Sequence, residues 1–341
     1  MDVRLAPGPE FDRIRRLVRA VGAAAPAPSG GAGPGDDAAV IEPPAGEKLV
    51  ASSDLSIESV HFERAWLRWE TVGRRAVSAA LSDLAAMAAG PLGILLSVAL
   101  PPELDVEVLD ELAAGVGEAL AGAGAPLLGG DLSGSPGPVV LDVVALGSAP
   151  APIGRDGAGP GDEVWVTGEL GGAAAAVQAW MRSLEPDPRA RRAFERPHAR
   201  LTEARWLAGH ARPSALIDLS DGLAGDAAHL AAASGVRIEI DAASVPLAPP
   251  LEEFSDRGSA LRLAATGGED YELLLAAPAG TMGPAAAAFE REHGVPITRI
   301  GRVAEGSGVG WEGPGSEAMS GASEGGPPRG FDHFSHRGGE G

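Results

Sequence analysis

The sequence predicts an α/β (α+β) protein of two domains, and three observations carry that prediction. Short apolar runs of strand character alternate with longer helical stretches through both halves of the chain. A Pro- and Gly-rich segment over residues 150–161 interrupts the alternation, which then restarts. The chain has 341 residues, 45% of them hydrophobic, enough for two cores of ordinary size.

In the first half, residues 10–21 form an amphipathic helix with Phe11, Ile14, Leu17, Val18 and Val21 on one face. Residues 23–34 are a Gly/Pro/Ala-rich loop that ends on Gly35-Asp36-Asp37. Residues 38–41 and 48–52 read as strands, with Ser52-Ser53-Asp54 just past the second. A helix over 71–88 is stopped by Gly90-Pro91, and a strand over 92–100 and a helix over 106–121 follow. Residues 126–128 lead into Gly129-Gly130-Asp131, and 139–146 form another strand.

In the second half, a strand over 164–167 runs into a Gly-rich turn over 168–172 and a helix over 173–183. Residues 200–209 are helical, and 215–217 are a short buried strand ending on Asp218. A helix over 222–233 and a strand over 236–240 come next. Strands over 261–264 and 271–276 flank Thr266-Gly267-Gly268-Glu269-Asp270, before a helix over 283–293 and a strand over 297–303. Beyond Glu305 the chain is Gly-rich and without clear period, apart from Gly330-Phe331-Asp332-His333-Phe334. The expected division is 1–149, 150–305 and a C-terminal segment over 306–341.

Composition removes several function classes. A net charge of -20 argues against nucleic acid or an anionic membrane as partner. With no cysteine there is no disulfide, thiolate metal site or cysteine nucleophile. Lys48 is the only lysine, so no P-loop is present. The longest apolar stretch, 84–100, is broken by Gly90, Pro91 and Gly93, and the first residues lack the apolar core of a signal peptide. A soluble cytoplasmic protein is the expectation.

Acids recur at the ends of apolar runs: Asp37, Asp54, Asp83, Asp131, Asp218 and Asp221. Taken singly, most of these motifs are equally turns or helix caps. Brought together, they would make a carboxylate pocket that only divalent cations could neutralise, and hard oxygen donors favour Mg²⁺ or Ca²⁺. Asp83 is the most telling, because it shares a helix face with Ala76, Ala80 and Met87. A bare carboxylate there costs several kcal/mol in desolvation, on the order expected for a buried ion, unless a cation meets it. Gly129 and Gly130 allow a phosphate to approach the backbone, and Ser220 or Asp221 either caps a helix or marks an anion site at its N-terminus.

The series GDDAAV, SSDLSIESVHF, AALSDLAAM, LLGGD, DLSDGL, TGGEDYELL and GFDHF, in this order and spacing from Glu10 to Phe334, resembles the thiamine-monophosphate kinases. These belong to a superfamily of ATP-binding enzymes typified by aminoimidazole ribonucleotide synthetase. The resemblance implies an N-terminal α/β domain that dimerises through its sheet and a C-terminal α/β domain over the nucleotide. It implies ATP-dependent phosphorylation of thiamine monophosphate to thiamine diphosphate, with several Mg²⁺ ions and a homodimer. Carried over by motif, Asp37, Ser52, Ser53, Asp54, Asp83, Asp131, Asp218 and Asp221 resemble Mg²⁺ ligands. Gly130, Asp131, Arg155 and Ser220 resemble ATP contacts, and His61, Glu269 and Phe331 contacts to thiamine phosphate. After Asp131 the family often has Thr or Ser and then Arg, whereas Leu132-Ser133-Gly134-Ser135 stands here.

Two superfamily members, selenophosphate synthetase and the hydrogenase-maturation carbamoyl-dehydrating enzyme, depend on cysteine or selenocysteine and are disfavoured. The alternatives are a synthetase acting on a purine ribonucleotide and a non-catalytic nucleotide- or metal-binding module.

Overall fold

The computed structural model describes residues 7–28, 33–253, 256–320 and 330. The chain forms two compact units, Met1–Pro152 and Ile153–Gly341.

The first unit contains α1 (Pro9–Val21), β1 (Lys48–Ile57), α2 (Trp69–Ala86), β2 (Gly90–Leu100), α3 (Val106–Ala123), β3 (Leu127–Gly134) and β4 (Val140–Ala149). Its sheet has the order β1-β4-β2-β3, antiparallel except for the β2–β3 pair. Side chains alternate between the two faces of such a sheet. Ile94, Leu96, Val98, Leu141, Val143 and Ala145 are buried on one face, where α2 supplies Val77, Ala80, Leu81 and Leu84. On the other face Leu49 and Leu55 are 54% and 49% exposed.

The second unit contains β5 (Glu163–Thr167), α4 (Gly172–Met181), α5 (Pro188–Glu195), α6 (Leu201–His210), β6 (Ala215–Asp218), α7 (Leu223–Ser234) and β7 (Arg237–Asp241). It continues with a 3-10 turn (Pro249–Glu253), α8 (Arg257–Thr266), β8 (Leu273–Ala277), α9 (Met282–His293), β9 (Ile297–Ala304), β10 (Gly308–Glu312) and α10 (Glu317–Ser320). The sheet order is β10-β7-β9-β5-β8-β6, with only β10–β7 parallel. β8 is buried throughout, which explains its uninterrupted Leu and Ala run.

Several elements differ from the sequence expectation. Residues 38–41 form no strand, because they find no ladder partner. β1 does not stop at Ser52; pairing with β4 over ten residues carries it to Ile57. Gly129-Gly130-Asp131 and the residues after it lie within β3 rather than in a loop. Residues 261–264 are helical rather than extended. Asp256 accepts the Ser259 N–H at 2.7 Å, capping α8, and Ala260, Leu261, Ala264 and Ala265 form its buried face. The helix α5 was not expected, although Asp187 caps it and Pro188 opens it. Beyond Glu305, β10 and α10 are ordered elements.

Candidate functional site

In the first unit, the mid-strand position of Ser52-Ser53-Asp54 decides which groups meet. Ser52 and Asp54 point to the α2 face, and the Ser52 hydroxyl donates to the Asp83 carboxylate on α2. Half-buried Asp83 thus has a hydroxyl partner from the strand that carries Asp54. Ser53 points the other way, where its hydroxyl donates to Asp142 at 2.9 Å. The register sets Asp142, Ser97 and Asp131 side by side on that outer face. Ser53 and Asp131 are therefore not on the face that carries Ser52, Asp54 and Asp83.

Gly130 has φ +149°, and a Cβ there would lie 1.8 Å from the Leu96 carbonyl oxygen, so only glycine fits. Its neighbours Gly129 and Asp131 line a cavity of about 80 Å³ together with Gly35 and Asp36. The first and fourth motifs therefore meet beside α1, with Asp37 exposed at the edge. His61 accepts the Ile57 N–H on Nδ1 at 3.0 Å. That bond assigns the proton of the neutral ring to Nε2.

In the second unit, two loops are joined backbone to backbone. Glu269 N–H donates to the Ser220 carbonyl and Tyr271 N–H to the Leu219 carbonyl, both at 2.8 Å. Gly268 makes this approach possible: its φ is +65°, and a Cβ would lie 2.4 Å from the Ser220 oxygen. The loop after β6, with Ser220 and Asp221, and the loop before β8, with Glu269, are thus one assembly.

Asp218 is 3% exposed at the end of β6. Asp226 on α7 is 2% exposed, and one of its oxygens accepts the N–H groups of Asp221 and Gly222, each at 3.1 Å. Burial first, then the charges of Asp218 and Asp221, push the Asp226 carboxyl up to about 8, although the two N–H bonds oppose the shift. Gly330 packs against Asp221 and Gly225, leaving no room for a Cβ. Phe331, the next residue, lies outside the described residues. Arg155 is exposed, and its carbonyl accepts the Ser234 hydroxyl at 2.7 Å.

Three acids within four residues have three different environments. Glu269 accepts the Tyr271 hydroxyl at 3.0 Å. Asp270 accepts the Gly171 N–H at 2.9 and 3.0 Å, and burial pushes its carboxyl well above the usual range. Glu272 is clasped by Arg200 through both oxygens, with Arg200 Nε at 2.8 Å, and accepts the Thr167 hydroxyl at 2.6 Å. Burial would lower the Arg200 guanidinium, but Glu272 and Glu203 outweigh it and raise it. Glu269, Asp270, Glu272 and Arg200 line a cleft of about 520 Å³, with Arg196 and His198 on its wall.

The donors present suit a hard divalent cation. All are carboxylate or hydroxyl oxygens, and the charges of Asp218 and Asp221 add to the larger effect of burial in raising the Asp226 carboxyl. Among the described residues no three acids or histidines form a complete metal cage. Mg²⁺ seldom needs one, since it takes one or two carboxylates and completes its shell with water and substrate phosphates.

Sequence reasoning missed Asp142, Asp226 and the Arg200–Glu272 pair, and it noted Asp270 only as part of a strand-end motif. Asp142 had a readable signal as the one acid inside the apolar run 139–146. Asp226 had another, standing on the helix face of Leu223, Ala227 and Leu230. The Arg200–Glu272 pair spans 72 residues and leaves no local trace.

These two sheet units define an aminoimidazole ribonucleotide (AIR) synthetase-like protein. Residues 35–149 match the family described as AIR synthase related protein, N-terminal domain, and residues 159–312 its C-terminal domain. Within that class, the chain belongs to the thiamine-monophosphate kinase family. It is 36% identical to the thiamine-monophosphate kinase of Caulobacter vibrioides over 89% of this chain and 86% of that one. It is 34% identical to that of Aquifex aeolicus over 88% and 92%. The crystal structure of the Stenotrophomonas maltophilia thiamine-monophosphate kinase superposes with a TM-score of 0.75 at 35% identity, covering 82% of this chain and 90% of that one. A structure of AaThiL complexed with AMPPCP and TMP gives 0.73 at 32% identity, covering 88% and 91%. Hydrogenase maturation protein HypE shares the fold at 20% identity. Among the described residues no helix is long and apolar enough to cross a membrane.

Proposed function

We propose that the chain transfers the γ-phosphoryl group of ATP to thiamine monophosphate, giving thiamine diphosphate and ADP. The observation that carries this reading is the joined loop pair of the second unit. It holds Ser220, expected to contact ATP, and Asp221, expected to hold Mg²⁺, against Glu269, expected to contact thiamine phosphate.

The acceptor is a phosphate monoester with a second pKa of about 6, largely dianionic at pH 7, so it needs no general base. The difficulty is repulsion between two polyanions beside a protein of net charge -20. Mg²⁺ ions would supply charge neutralisation and alignment; on this reading Asp37, Ser52, Ser53, Asp54, Asp83 and Asp131 of the first unit and Asp218 and Asp221 of the second would hold them, with Ser53 and Asp131 on the opposite sheet face from Ser52, Asp54 and Asp83. The chain itself supplies position. Ser52 fixes Asp83, the two N–H bonds to Asp226 fix the Asp221 turn, and Gly130 lets β3 carry Asp131 close to β2. The Ser53 hydroxyl faces Asp142 on the outer face, opposite to Ser52 and Asp54. Arg155 and Gly130 take the nucleotide, and His61, Glu269 and Phe331 the thiamine phosphate.

We also propose a homodimer through the outer face of the first sheet. The exposed Leu49 and Leu55 on that face, beside the half-buried Leu95, Val144 and Leu146, support this reading.

Incubation with ATP, thiamine monophosphate and Mg²⁺, scored for ADP and thiamine diphosphate, tests the activity. ATP binding without product favours a binding module, and turnover only with a purine ribonucleotide favours a synthetase. Asp54→Asn should abolish turnover in a folded protein. Near-normal turnover of that variant at low Mg²⁺ removes Asp54 from the metal set.

A further inference from the structure

We propose that Asp226 is a positioning residue that occupies the inward N–H donors of the turn after β6, so that this turn accepts the nucleotide as a cation complex and discriminates against the bare polyphosphate. The inference rests on the kinase reading above. A turn whose successive N–H groups run into the start of a helix ordinarily offers those donors to phosphate. Here the chain itself takes them. One Asp226 oxygen accepts both the Asp221 and the Gly222 N–H groups, each at 3.1 Å, and the residue is 2% exposed on α7. The Asp226 N–H in turn donates to the Gly222 carbonyl at 3.0 Å, so one residue holds both polar groups of Gly222.

Two features show that Asp226 serves the turn rather than packing or an ion pair. It stands at i+3 from Leu223 and i−4 from Leu230 on α7, both buried, where an apolar side chain fits the helix face. The charges that act on it are those of Asp218 and Asp221, both acids, so no countercharge among the described residues offsets its burial. What the carboxyl gains is the pair of N–H bonds. In front of it, Ser220 and Asp221 are half-buried. A bare polyphosphate reaching the turn meets acids and finds these N–H groups already bonded. A polyphosphate that brings cations meets a hydroxyl and carboxylates that suit them. Asp226 thus selects the form of the nucleotide without touching it.

The test measures binding of the non-hydrolysable analogue AMPPCP by calorimetry, in Mg²⁺ and in EDTA, to wild type, Asp226→Ala and Asp226→Asn. Asp226→Ala releases two N–H donors, so Kd in EDTA should fall about threefold. Asp221 loses its fixed direction, so Kd in Mg²⁺ should rise about threefold, and the ratio of the two constants should move about tenfold toward the bare nucleotide. Asp226→Asn keeps an oxygen for both N–H groups and should hold the ratio within about threefold of wild type. An unchanged or opposite ratio in Asp226→Ala overturns the inference, and so does an Asn variant as altered as the Ala one. Wild type gives a second readout that needs no variant. Its Asp221 and Gly222 amide protons should exchange slowly before nucleotide is added, and AMPPCP with Mg²⁺ should slow them less than about threefold further. A larger gain means that these donors turn to phosphate, which also overturns the inference. Failure of wild type to bind AMPPCP with Mg²⁺ overturns the kinase reading instead, so the two failures are distinct.

Discussion

Gly268→Ala is the sharpest probe of the joined loops. An L-residue in the left-handed region costs about 1–2 kcal/mol. The new Cβ would start 2.4 Å from the Ser220 oxygen, inside the 3.0 Å below which real contacts essentially never occur. Relief requires the loops to part, which weakens the 2.8 Å bond from Glu269 N–H to Ser220, worth about 1 kcal/mol. The expected stability loss is therefore about 2–3 kcal/mol, or roughly 5–10 °C in the unfolding midpoint of a unit this size. The catalytic effect should be larger. A shift of order 1 Å between reacting groups can cost about 100-fold. The measurement is kcat/KM from ADP release, at a temperature where calorimetry shows the variant folded. A kcat/KM within threefold of wild type would refute the claim that loop contact sets the distance between Ser220 and Glu269.

Two further predictions concern the second unit. Arg200→Met leaves Glu272, 6% exposed, without its countercharge and should cost about 3–5 kcal/mol by urea unfolding. Adding Glu272→Leu should restore most of that loss, and a double variant as unstable as the single one rules out the buried charge as the cause. The acid limb should depend on Glu203. Burial pushes that carboxyl up, but its own N–H, the Thr202 hydroxyl and Arg200 outweigh burial and hold it below its usual 4.5. A carboxyl depressed in the folded state contributes stability that is complete above pH 4.5 and lost as the pH falls through the folded value. Glu203→Gln should flatten the fall of the urea midpoint below pH 4.5, and an unchanged slope assigns that limb to other groups.

The helices with strong local signals were legible in the sequence. Residues Phe11 to Val21 show a helical apolar period, and residues 106–121 lie within α3 (Val106–Ala123). Errors came where distant pairing decides. The hydroxyls and acid after Val50 look like the end of a strand, and only the ladder to β4, some ninety residues away, keeps them extended. Leu261 to Ala264 is short and apolar, a pattern shared by buried strands and buried helix faces. The candidate acids were found by motif, but their directions were not. Ser52 and Ser53 are chemically alike, yet register turns one toward Asp83 and the other toward Asp142. The acids of the second unit were legible as loop ends, whereas the contact between those loops depends on Gly268 meeting Ser220, which no local pattern announces.

The alternation of β1 restricts how this protein can change over generations. Odd-numbered Leu49, Ser53 and Leu55 serve the outer surface, and even-numbered Ser52 and Asp54 serve the face with Asp83. A one-residue deletion upstream in the strand would exchange the two sets, aiming leucines at the carboxylate and the acid outward. Loops around β1 can gain or lose residues singly. The strand itself can do so only in pairs, so surviving lineages should carry length variation beside it and an unbroken parity within it.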